Sequence, residues 1–555
     1  MIQYIEGKML RDMFVSGANN LQNHKELVDK LNVFPVPDGD TGTNMSLTIS
    51  YAMKELAKVE NDSITEIGKS LSKGSLMGAR GNSGVILSQI IRGIAKDGGL
   101  YVPESFPKLY DSLKNEKSLS YEELAFKIIK EFFTDIDEKD LKEAINDAYT
   151  NRFNVEVKNG FLELYHGPTS AFKDAALLFL PQIMKRAKKA VLLKDEVVIL
   201  TATSGDTGKA ALEGFSNVEG FKVIVYYPKH GVSPIQERQM VTQEGNNVKV
   251  YGIEGNFDNA QTGVKIIFGD EEFKEQLKEK GYVLSSANSI NIGRLVPQIV
   301  YYFYGYFKLV EQGEIKEGEE INVVVPTGNF GNILASYYAK QMGLPINKFI
   351  CASNENKVLT DFFNSGTYDK RRELILTESP SMDILVSSNL ERLLFEATGR
   401  NGEEVKKLMN SLMNDGVYKV SDSVKNFINE FYGNFATQEE VAETISNEYK
   451  NEGYLIDTHT AVAKTVYDKY VEETNDNRKV LIASTASPYK FPRSICSALN
   501  INVDGLNDFE VLDKLYEVTK VEIPNNLKGL DKKAILHDEV WDKDEMKKAI
   551  LSYLK

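Results

Sequence analysis

Two kinds of hydrophobic periodicity divide the chain at about residue 150. Before that point, apolar residues recur at helical spacing through 21–31 and 64–76, and a Pro/Gly/Asp turn at 32–44 separates the two stretches. A loop and two charged amphipathic helices are expected over 98–150. After residue 150, short apolar runs alternate with helical stretches, as in parallel sheets whose strands are buried on both faces. The pattern predicts an all-α N-terminal part followed by an α/β region.

The predicted strands are short runs rich in β-branched residues. They lie at 197–200, 222–227, 248–251, 321–325 and 479–483. Residues 360–475 read as mostly helical, and we interpret them as an insertion or subdomain. We expect three parts, namely 1–92, 93–150 and a region of two α/β subdomains at 151–555; the patterns give the boundary near 150, and resemblances to known families imply the one at 92.

Composition narrows the possible functions. The chain has 555 residues, 66 Lys and Arg against 80 Asp and Glu, and a net charge of −14. Such a chain lacks the broad basic surface that nucleic acid requires, although a local pocket can still bind a small anion. Two cysteines exclude a disulfide scaffold and fit a reducing compartment. Because we find neither a signal-peptide pattern nor an apolar run of about 20 residues, we expect a cytoplasmic protein without membrane spans.

Four segments carry residues suited to chemistry, and three of them directly follow predicted strands. A lysine with small and aromatic neighbours, Lys173, lies in the string H-G-P-T-S-A-F-K-D; such a lysine has a lowered pKa and can react with an aldehyde. The alternative is an ordinary solvated lysine. The loop T-A-T-S-G-D-T-G at 201–208 offers backbone N–H groups and hydroxyls to an anion. Its alternative is a simple turn with Asp206 or Thr207 as the helix N-cap.

The third segment, P-T-G-N-F-G-N at 326–332, repeats this strand–loop–helix order. Gly328 and Gly331 bracket Asn329 and Phe330 and permit close approach of the backbone to a phosphate, and Asn332 is expected to cap the helix. The fourth segment has hydroxyl groups at 484–487, after a strand, where α/β sheets bind ligands, or else forms a Ser/Thr-rich turn. An amine, a phosphate loop and a strand-end hydroxyl together satisfy the requirements of pyridoxal phosphate.

From about residue 93 to its end, the sequence resembles the threonine synthase family, which has the tryptophan-synthase-β fold of pyridoxal-phosphate enzymes. The resemblance rests on nine strings in the same order as in that family. They are D-G-G-L-Y-V-P (97–103), H-G-P-T-S-A-F-K-D (166–174), T-A-T-S-G-D-T-G (201–208), P-K-H-G-V-S-P-I-Q (228–236), I-E-G-N-F-D-N-A-Q (253–261), S-S-A-N-S-I-N-I-G-R (285–294), P-T-G-N-F-G-N (326–332), S-P-S-M-D-I-L-V-S-S-N-L-E-R (379–392) and D-T-H-T-A-V-A (457–463).

This resemblance implies roles for individual residues. Lys173 would bind the cofactor covalently, and Thr485 would place a hydroxyl at the ring nitrogen. The cofactor-phosphate loop would comprise Gly328, Asn329, Phe330, Gly331 and Asn332, and the substrate side Ser204, Asp206, Thr207, Asn288, Ser289, Asn291 and Arg294. The substrate phosphate needs cations and donors of its own, for which Arg294, Lys490 and Asn291 are our candidates. The implied reaction is the conversion of O-phospho-L-homoserine and water to L-threonine and phosphate. Ser487 stands where the family often has His, which leaves the role of that position open.

The first ninety residues resemble a different family. The strings V-F-P-V-P-D-G-D-T-G-T-N-M at 33–45 and M-G-A-R-G-N-S-G-V-I-L-S-Q at 77–89 are similar to the ATP-binding helical domain of dihydroxyacetone kinases and bacterial fatty-acid kinases. Asp38 and Asp40 supply the hard oxygen ligands that Mg²⁺ prefers beside nucleotide phosphates. The resemblance stops at about half the length of that domain, which argues against a working kinase.

The two resemblances meet within residues 80–97, where the sequence is similar to both families. Two interpretations of this junction remain, a gene fusion and a chimera; we favour the chimera because one partner is truncated and joins form where sequences are locally alike. The leading expectation is a lyase. The alternatives are a Ser/Thr dehydratase of the same fold, an ATP/Mg-dependent kinase or nucleotide-sensing module, and an inactive chimera. The sequence indicates no particular oligomeric state.

Overall fold

A computed structural model of the chain describes residues 6–31, 41–59, 61, 63–68, 70–71, 99–116, 119–134, 136–190 and 193–554. The chain divides into two compact units. The smaller comprises Met1–Arg92, Phe133–Leu141 and Ile183–Lys194, and the larger comprises Gly93–Phe132, Lys142–Gln182 and Asp195–Lys555. Within the described residues, no helix combines the length and the hydropathy required to cross a bilayer.

Two long helices dominate the described part of the smaller unit. Helix α1 (Gly7–Leu31) packs against α2 (Thr41–Leu56), and Leu56 of α2 forms a buried apolar cluster with Ile67 and Leu71. The helix expected at 21–31 is the C-terminal part of α1. The stretch expected at 64–76 is helical at 64–68 and 70–71, and its remaining residues lie outside the described ones. Asp38 and Asp40 also lie outside the described residues.

Thirteen strands build the sheets of the larger unit within the residues that the structure describes. They are β1 (Asn154–Lys158), β2 (Phe161–His166), β3 (Glu196–Ala202), β4 (Phe221–Pro228), β5 (Val248–Glu254), β6 (Tyr282–Ser285), β7 (Ile321–Pro326), β8 (Ile346–Ser353), β9 (Thr367–Asp369), β10 (Val417–Lys419), β11 (Phe431–Phe435), β12 (Val480–Ser484) and β13 (Val540–Asp542). One sheet has the order β1-β2-β12-β7-β8-β11 and another β13-β5-β4-β3-β6, while β9 and β10 form a separate pair. Apart from the β1–β2 and β9–β10 pairs, all neighbouring strands are parallel.

Helices connect and cover these strands. They are α3 (Tyr110–Leu113), α4 (Tyr121–Ile129), α5 (Glu138–Tyr149), α6 (Asp174–Leu177), α7 (Phe179–Ala190), α8 (Asp206–Phe215), α9 (Pro234–Val241), α10 (Phe257–Gly269), α11 (Glu271–Glu279), α12 (Ile292–Glu311), α13 (Gly331–Gln341), α14 (Val358–Ser365), α15 (Leu390–Ala397), α16 (Gly402–Asn414), α17 (Asp422–Ile428), α18 (Gln438–Glu452), α19 (Thr458–Thr474), α20 (Pro492–Ala498), α21 (Asp508–Thr519) and α22 (Met546–Tyr553). The helices α5 and α7 belong partly to the smaller unit.

The strands expected from apolar runs are confirmed. The five runs correspond to β3, β4, β5, β7 and β12. Every residue of β7 is buried, because neighbouring strands pair on both sides and helices cover the sheet. The α/β fold class with parallel sheets flanked by helices is therefore confirmed.

The segment 360–475 differs from a simple insertion. It is mostly helical, as expected, but its strand β11 pairs in parallel with β8 and forms one edge of the six-stranded sheet. Its last helix, α19, packs against β7 and β8. A five-residue strand among helices gives little periodic signal, and for that reason the sequence pattern did not reveal its pairing. The segment is part of the sheet's architecture.

Candidate active site

Lys173 lies between the end of β2 and the short helix α6. The backbone N–H of Phe172 donates a hydrogen bond to the carbonyl of Thr485 at 2.8 Å, and Ala171 forms a β-bridge with Ala486. The segment that carries Lys173 is therefore fixed against the segment that follows β12. Two residues expected at the cofactor, Lys173 and Thr485, thus come from adjacent segments although 312 positions separate them in the sequence.

The turn before Lys173 depends on a buried carboxylate. Asp174 accepts hydrogen bonds from the Thr169 backbone N–H at 2.9 Å and from the Thr169 hydroxyl at 2.7 Å. A Cβ atom at Gly167 would lie 2.4 Å from a carboxylate oxygen of Asp174, so glycine is required there. These contacts explain the spacing of the glycine, threonine and aspartate in H-G-P-T-S-A-F-K-D, and they hold Lys173 in place.

The amine of Lys173 faces two oxygen groups. Its Nζ lies 3.9 Å from Oδ2 of Asp206 and donates to the hydroxyl of Ser381 at 3.4 Å. Burial lowers the pKa of Lys173 to about 8; the charge of Asp206 acts against this effect, whereas the charges of Arg294 and Lys490 add to it. A lysine with such a pKa is partly neutral near physiological pH, as covalent binding of an aldehyde requires.

Asp206 is held at the start of α8. Gly205, with φ of 134°, is the N-cap, so the expectation that Asp206 or Thr207 caps this helix is wrong. A Cβ atom at Gly205 would lie 2.4 Å from the side chain of Gln236, whose amide donates to Oδ1 of Asp206 at 2.9 Å. The tight glycine turn thus lets Gln236 reach the carboxylate. Ser204 and Thr207 flank Asp206 on the same turn.

Lys490 is the second cation on Asp206. Its side chain is fully buried, and its Nζ lies 2.7 Å from Oδ1 of Asp206, 2.7 Å from Oε1 of Gln239 and 3.2 Å from the carbonyl of Thr169. Burial by itself raises the pKa of Asp206, but the charges of Lys490 and Lys173 outweigh it and hold that pKa well below its usual range. Because three protein oxygen atoms surround its ammonium group, Lys490 has the contacts of a residue that positions Asp206 rather than those of a phosphate ligand.

The loop 328–332 begins helix α13. Phe330 is the N-cap, with φ of 63°, and Gly331 is the first helical residue, so Asn332 is not the cap expected from the sequence. A Cβ atom at Gly328 would lie 2.5 Å from the carbonyl oxygen of Ser381. The hydroxyl of Ser387 donates to the carbonyl of Gly328 at 2.6 Å. The loop therefore packs against the segment that also contacts Lys173.

Two buried donors near this region have no partner among the described residues. One is Nδ2 of Asn332, whose Oδ1 accepts hydrogen bonds from the hydroxyls of Tyr301, at 2.8 Å, and Tyr302. The other is Nε of Arg294, whose Nη1 donates to the carbonyl of Ala287 at 2.7 Å. Unsatisfied buried donors are costly unless a ligand accepts from them. These two donors and the N-terminus of α13 are suited to a ligand that carries anionic groups. The amine of Lys173 is suited to an aldehyde of such a ligand.

The remaining substrate-side residues lie before and at the start of α12. Asn291 caps that helix by accepting from the backbone N–H of Gly293 at 2.9 Å. The amide of Asn389 lies 3.5 Å from the Ser289 hydroxyl and donates to the carbonyl of Asn329 at 2.8 Å, so Ser289 is close to the loop 328–332. Asn288 follows β6 in the same segment. Which of these groups contact a substrate stays a prediction.

Several polar residues near Lys173 were not singled out from the sequence. Ser381, Gln236 and Asn389 contact predicted site residues, and Asp457 and His459 lie behind Ser381. Their strings were recognised as family marks, but no local spacing links them to Lys173; Ser381 is 208 positions away. Only the resemblance to a known family pointed to these strings, and it assigned no role to these individual side chains.

Family comparisons agree with this geometry. A model described as pyridoxal-phosphate dependent enzyme matches residues 161–485, more than half of the chain. Models for the threonine synthase N terminus and the threonine synthase C-terminal region match 80–149 and 460–550. The threonine synthase of Saccharomyces cerevisiae is 36% identical over 500 residues, which cover 83% of this chain and 94% of the yeast protein.

The chain belongs to the threonine synthase family. Its cofactor is accordingly pyridoxal 5'-phosphate. Two solved structures are similar to this threonine synthase family member over most of its length. The yeast threonine synthase has a TM-score of 0.75 with 33% identity and covers 84% of this chain and 96% of its own; the pyridoxal-phosphate-bound threonine synthase of Brucella melitensis has a TM-score of 0.74 with 33% identity and covers 85% and 97%.

A second group of relatives consists of longer proteins, of which this chain matches only a part. Human threonine synthase-like 1 is 42% identical over 435 residues, which cover 74% of this chain. The chain spans about 58% of the length of that relative. At the N terminus, a DAK2 domain model matches residues 35–112 and overlaps the threonine synthase N-terminal match over 80–112. The two resemblances of the sequence to different families are therefore confirmed.

Proposed function

We propose that this chain is a lyase that converts O-phospho-L-homoserine and water to L-threonine and phosphate. The observation that supports this proposal is the surroundings of Lys173. Its amine lies beside Asp206 and Ser381, the loop 328–332 packs on the Ser381 segment, and Arg294 and Asn332 have buried donors without a partner among the described residues. Such a site suits a substrate and a cofactor that both carry phosphate.

The proposed reaction uses Lys173 twice. Pyridoxal phosphate, when bound, withdraws electrons from the substrate and makes its Cα proton acidic. Lys173 holds the cofactor, is then released as a free amine, and moves protons at Cα and Cβ of the substrate. Loss of the γ-phosphate is followed by addition of water at Cβ. Asp206, whose Oδ2 lies 3.9 Å from Nζ, stabilises the ammonium group that Lys173 carries after it has taken up a proton.

Arg294 is the proposed ligand of the substrate phosphate. It is buried, its Nε is directed to no described acceptor, and one Nη is anchored on Ala287. Asn291 caps the helix that carries Arg294 and thereby orients it. Thr485, whose backbone fixes the Lys173 segment, is proposed to hold the cofactor ring through its hydroxyl.

An absorbance spectrum and a phosphate assay test this function. Purified protein with pyridoxal phosphate is expected to show the absorption of the lysine-bound cofactor and, with O-phospho-L-homoserine, to release phosphate and threonine in equal amounts. Lys173→Ala is expected to lose both signals. Cofactor absorption without phosphate release would reject this substrate and favour the inactive-chimera alternative, whereas deamination of serine or threonine would favour the dehydratase.

A second candidate function concerns the N-terminal region. The match to a DAK2 domain favours nucleotide binding with Mg²⁺, for which Asp38 and Asp40 are the proposed ligands. We propose 1–92 as the kinase-like part and a junction within 80–97. Isothermal titration of the full chain with ATP and Mg²⁺ tests the site, with the Asp38→Asn, Asp40→Asn double variant as control. Equal heats for both proteins would remove these residues from any nucleotide site.

A further inference from the structure

A buried acid–histidine pair lies at the start of α19, behind the Lys173 side of the site. Oδ1 of Asp457 accepts from the backbone N–H of His459 at 2.9 Å and lies 2.9 Å from Nδ1 of the same histidine. Asp457 has no exposed surface and His459 is 3% exposed. A buried pair of this kind is costly unless its hydrogen bonds are fully used. The other hydrogen bonds of Asp457 and His459 therefore indicate the role of the pair.

The first contact reaches the turn next to Lys173. Nε2 of His459 accepts a hydrogen bond from the backbone N–H of Ser381 at 3.3 Å. Since a backbone N–H only donates, Nε2 is unprotonated and Nδ1 carries the proton that it donates to Asp457. Asp457 thus selects the tautomer that can hold Ser381.

The second contact reaches the end of β12. The hydroxyl of Thr460 donates to Oδ2 of Asp457 and lies 3.0 Å from the hydroxyl of Ser484. Ser484 is the last residue of β12 and directly precedes Thr485, whose carbonyl fixes the Lys173 segment. Asp457 is therefore connected to both sides of the site by hydrogen bonds.

The Ser381 turn is also fixed from its other side. Asp383 accepts hydrogen bonds from the amide of Asn354 at 2.7 Å and from the backbone N–H of Thr377 at 2.9 Å. The short 3-10 turn Pro380–Met382 thus lies between this anchor and His459, and the Ser381 hydroxyl accepts from Nζ of Lys173 at 3.4 Å.

We infer that Ser381 is a further active-site residue that orients the free amine of Lys173 for proton transfer, and that Asp457 and His459 are the positioning residues that hold it. The inference deepens the proposed function and rests on it, since proton transfer by Lys173 belongs to that reaction. The hydroxyl oxygen accepts a hydrogen bond from an N–H of the amine, which leaves the nitrogen lone pair directed at the substrate. No covalent step is assigned to Ser381.

Four variants separate this role from simple packing. Ser381→Ala removes the hydroxyl, and Ser381→Thr retains it. His459→Phe keeps a ring that can pack on Phe491, whose centroid lies 5.1 Å away, but removes the acceptor; His459→Gln retains an acceptor with less packing. Ser446→Ala and His537→Gln, at buried positions in α18 and near the carbonyl of Gln243, are the matched controls.

The expected result is a loss in kcat with little change in KM. Ser381→Ala and His459→Phe are expected to lower kcat about tenfold, the effect of one lost hydrogen bond, with KM changed less than about twofold. Ser381→Thr and His459→Gln are expected to recover most of the activity, and the controls to match the wild type. Cofactor content and the melting temperature are measured for every variant. Losses that follow cofactor content or melting temperature, or His459→Phe more active than His459→Gln, would overturn the inference.

An exchange experiment separates this inference from the proposed reaction. Exchange of the Cα proton of L-2-aminobutyrate with deuterated solvent, followed by NMR, reads proton transfer by Lys173 without phosphate loss. If the wild type exchanges this proton but releases no phosphate from O-phospho-L-homoserine, the proposed function fails while the role of Ser381 is still judged by exchange. Exchange in Ser381→Ala at the wild-type rate would overturn the inference, and a loss of about tenfold would support it.

Discussion

Replacing Asp206 by asparagine gives the sharpest test of the electrostatics of the site. Lys173 and Lys490 share this carboxylate, at 3.9 Å and 2.7 Å. Burial, the largest effect, lowers the pKa of Lys173 to about 8, and Asp206 is the group that acts against it. Asp206→Asn removes the negative charge and keeps the shape, so the pKa of Lys173 is expected to fall further.

The size of this fall follows from the separation of the charges. Two unit charges at 3.9 Å interact with about 4 kcal/mol at an effective dielectric constant of about 20. One pH unit corresponds to about 1.4 kcal/mol, so the upper bound is about three pH units. Because water and the asparagine amide compensate part of the lost charge, we expect the pKa of Lys173 to fall from about 8 by about one to three pH units.

Covalent attachment of pyridoxal phosphate to the apoprotein measures this pKa, because only the neutral amine reacts. Stopped-flow absorbance is recorded from pH 5 to pH 9. In the wild type the rate is expected to rise about tenfold per pH unit below about 8 and to level off above it. In Asp206→Asn the plateau is expected to begin at a lower pH.

The control is Asp476→Asn, since Asp476 is a partly buried carboxylate that binds Asn322 and Tyr470 away from Lys173. Its pH midpoint is expected to equal that of the wild type. A midpoint in Asp206→Asn that is unchanged or higher would refute the reasoning. The same substitution leaves the buried Lys490 without its anion, so urea denaturation is expected to show a loss of about 3 kcal/mol in the free energy of unfolding.

Three further substitutions test the backbone and the substrate phosphate. Gly205→Ala is expected to lower the free energy of unfolding by about 2 kcal/mol in urea, because φ is 134° and the Cβ would meet Gln236, whereas Gly269→Ala, with open space around it, is expected to stay near the wild type. Gly328→Ala is expected to weaken cofactor binding at least about tenfold in a fluorescence titration, since the Cβ would lie 2.5 Å from a carbonyl oxygen; unchanged binding would contradict the packing described for the loop. Arg294→Ala is expected to raise KM for O-phospho-L-homoserine about tenfold or more in steady-state assays, the effect of a lost charge-assisted hydrogen bond, and an unchanged KM would remove Arg294 from the phosphate site.

The sequence predicted the strands and loops that depend on residue types within a short segment. The apolar runs that became β3, β4 and β7 are buried by strands on both sides, and this burial requires uninterrupted apolar residues. The glycine-rich loops at 205 and 328 were also found, because close backbone approach excludes other residues there. The predicted helix N-caps were wrong. At both loops the N-cap is a residue with positive φ, Gly205 or Phe330, where a polar side chain was expected.

Contacts between distant segments could not be derived in this way. The pairing of β11 with β8 joins positions about 80 apart, and the hydrogen bond from Lys173 to Ser381 joins positions 208 apart. Lys490 was a candidate for the substrate phosphate because that group requires cations. In the structure its ammonium group is buried against oxygen atoms of Asp206, Gln239 and Thr169.

The sequence by itself determined the α/β class, the candidate lysine, the phosphate-type loops and the resemblance to two families, because each depends on residue types at short, regular spacing. The tertiary structure decided which cations, hydroxyls and carboxylates face one another. The pKa of Lys173, the shared carboxylate of Asp206 and the Asp457–His459 support of Ser381 arise only when distant segments are buried together. The strength of these interactions depends on distance and on exclusion of water, and neither quantity is encoded by local spacing.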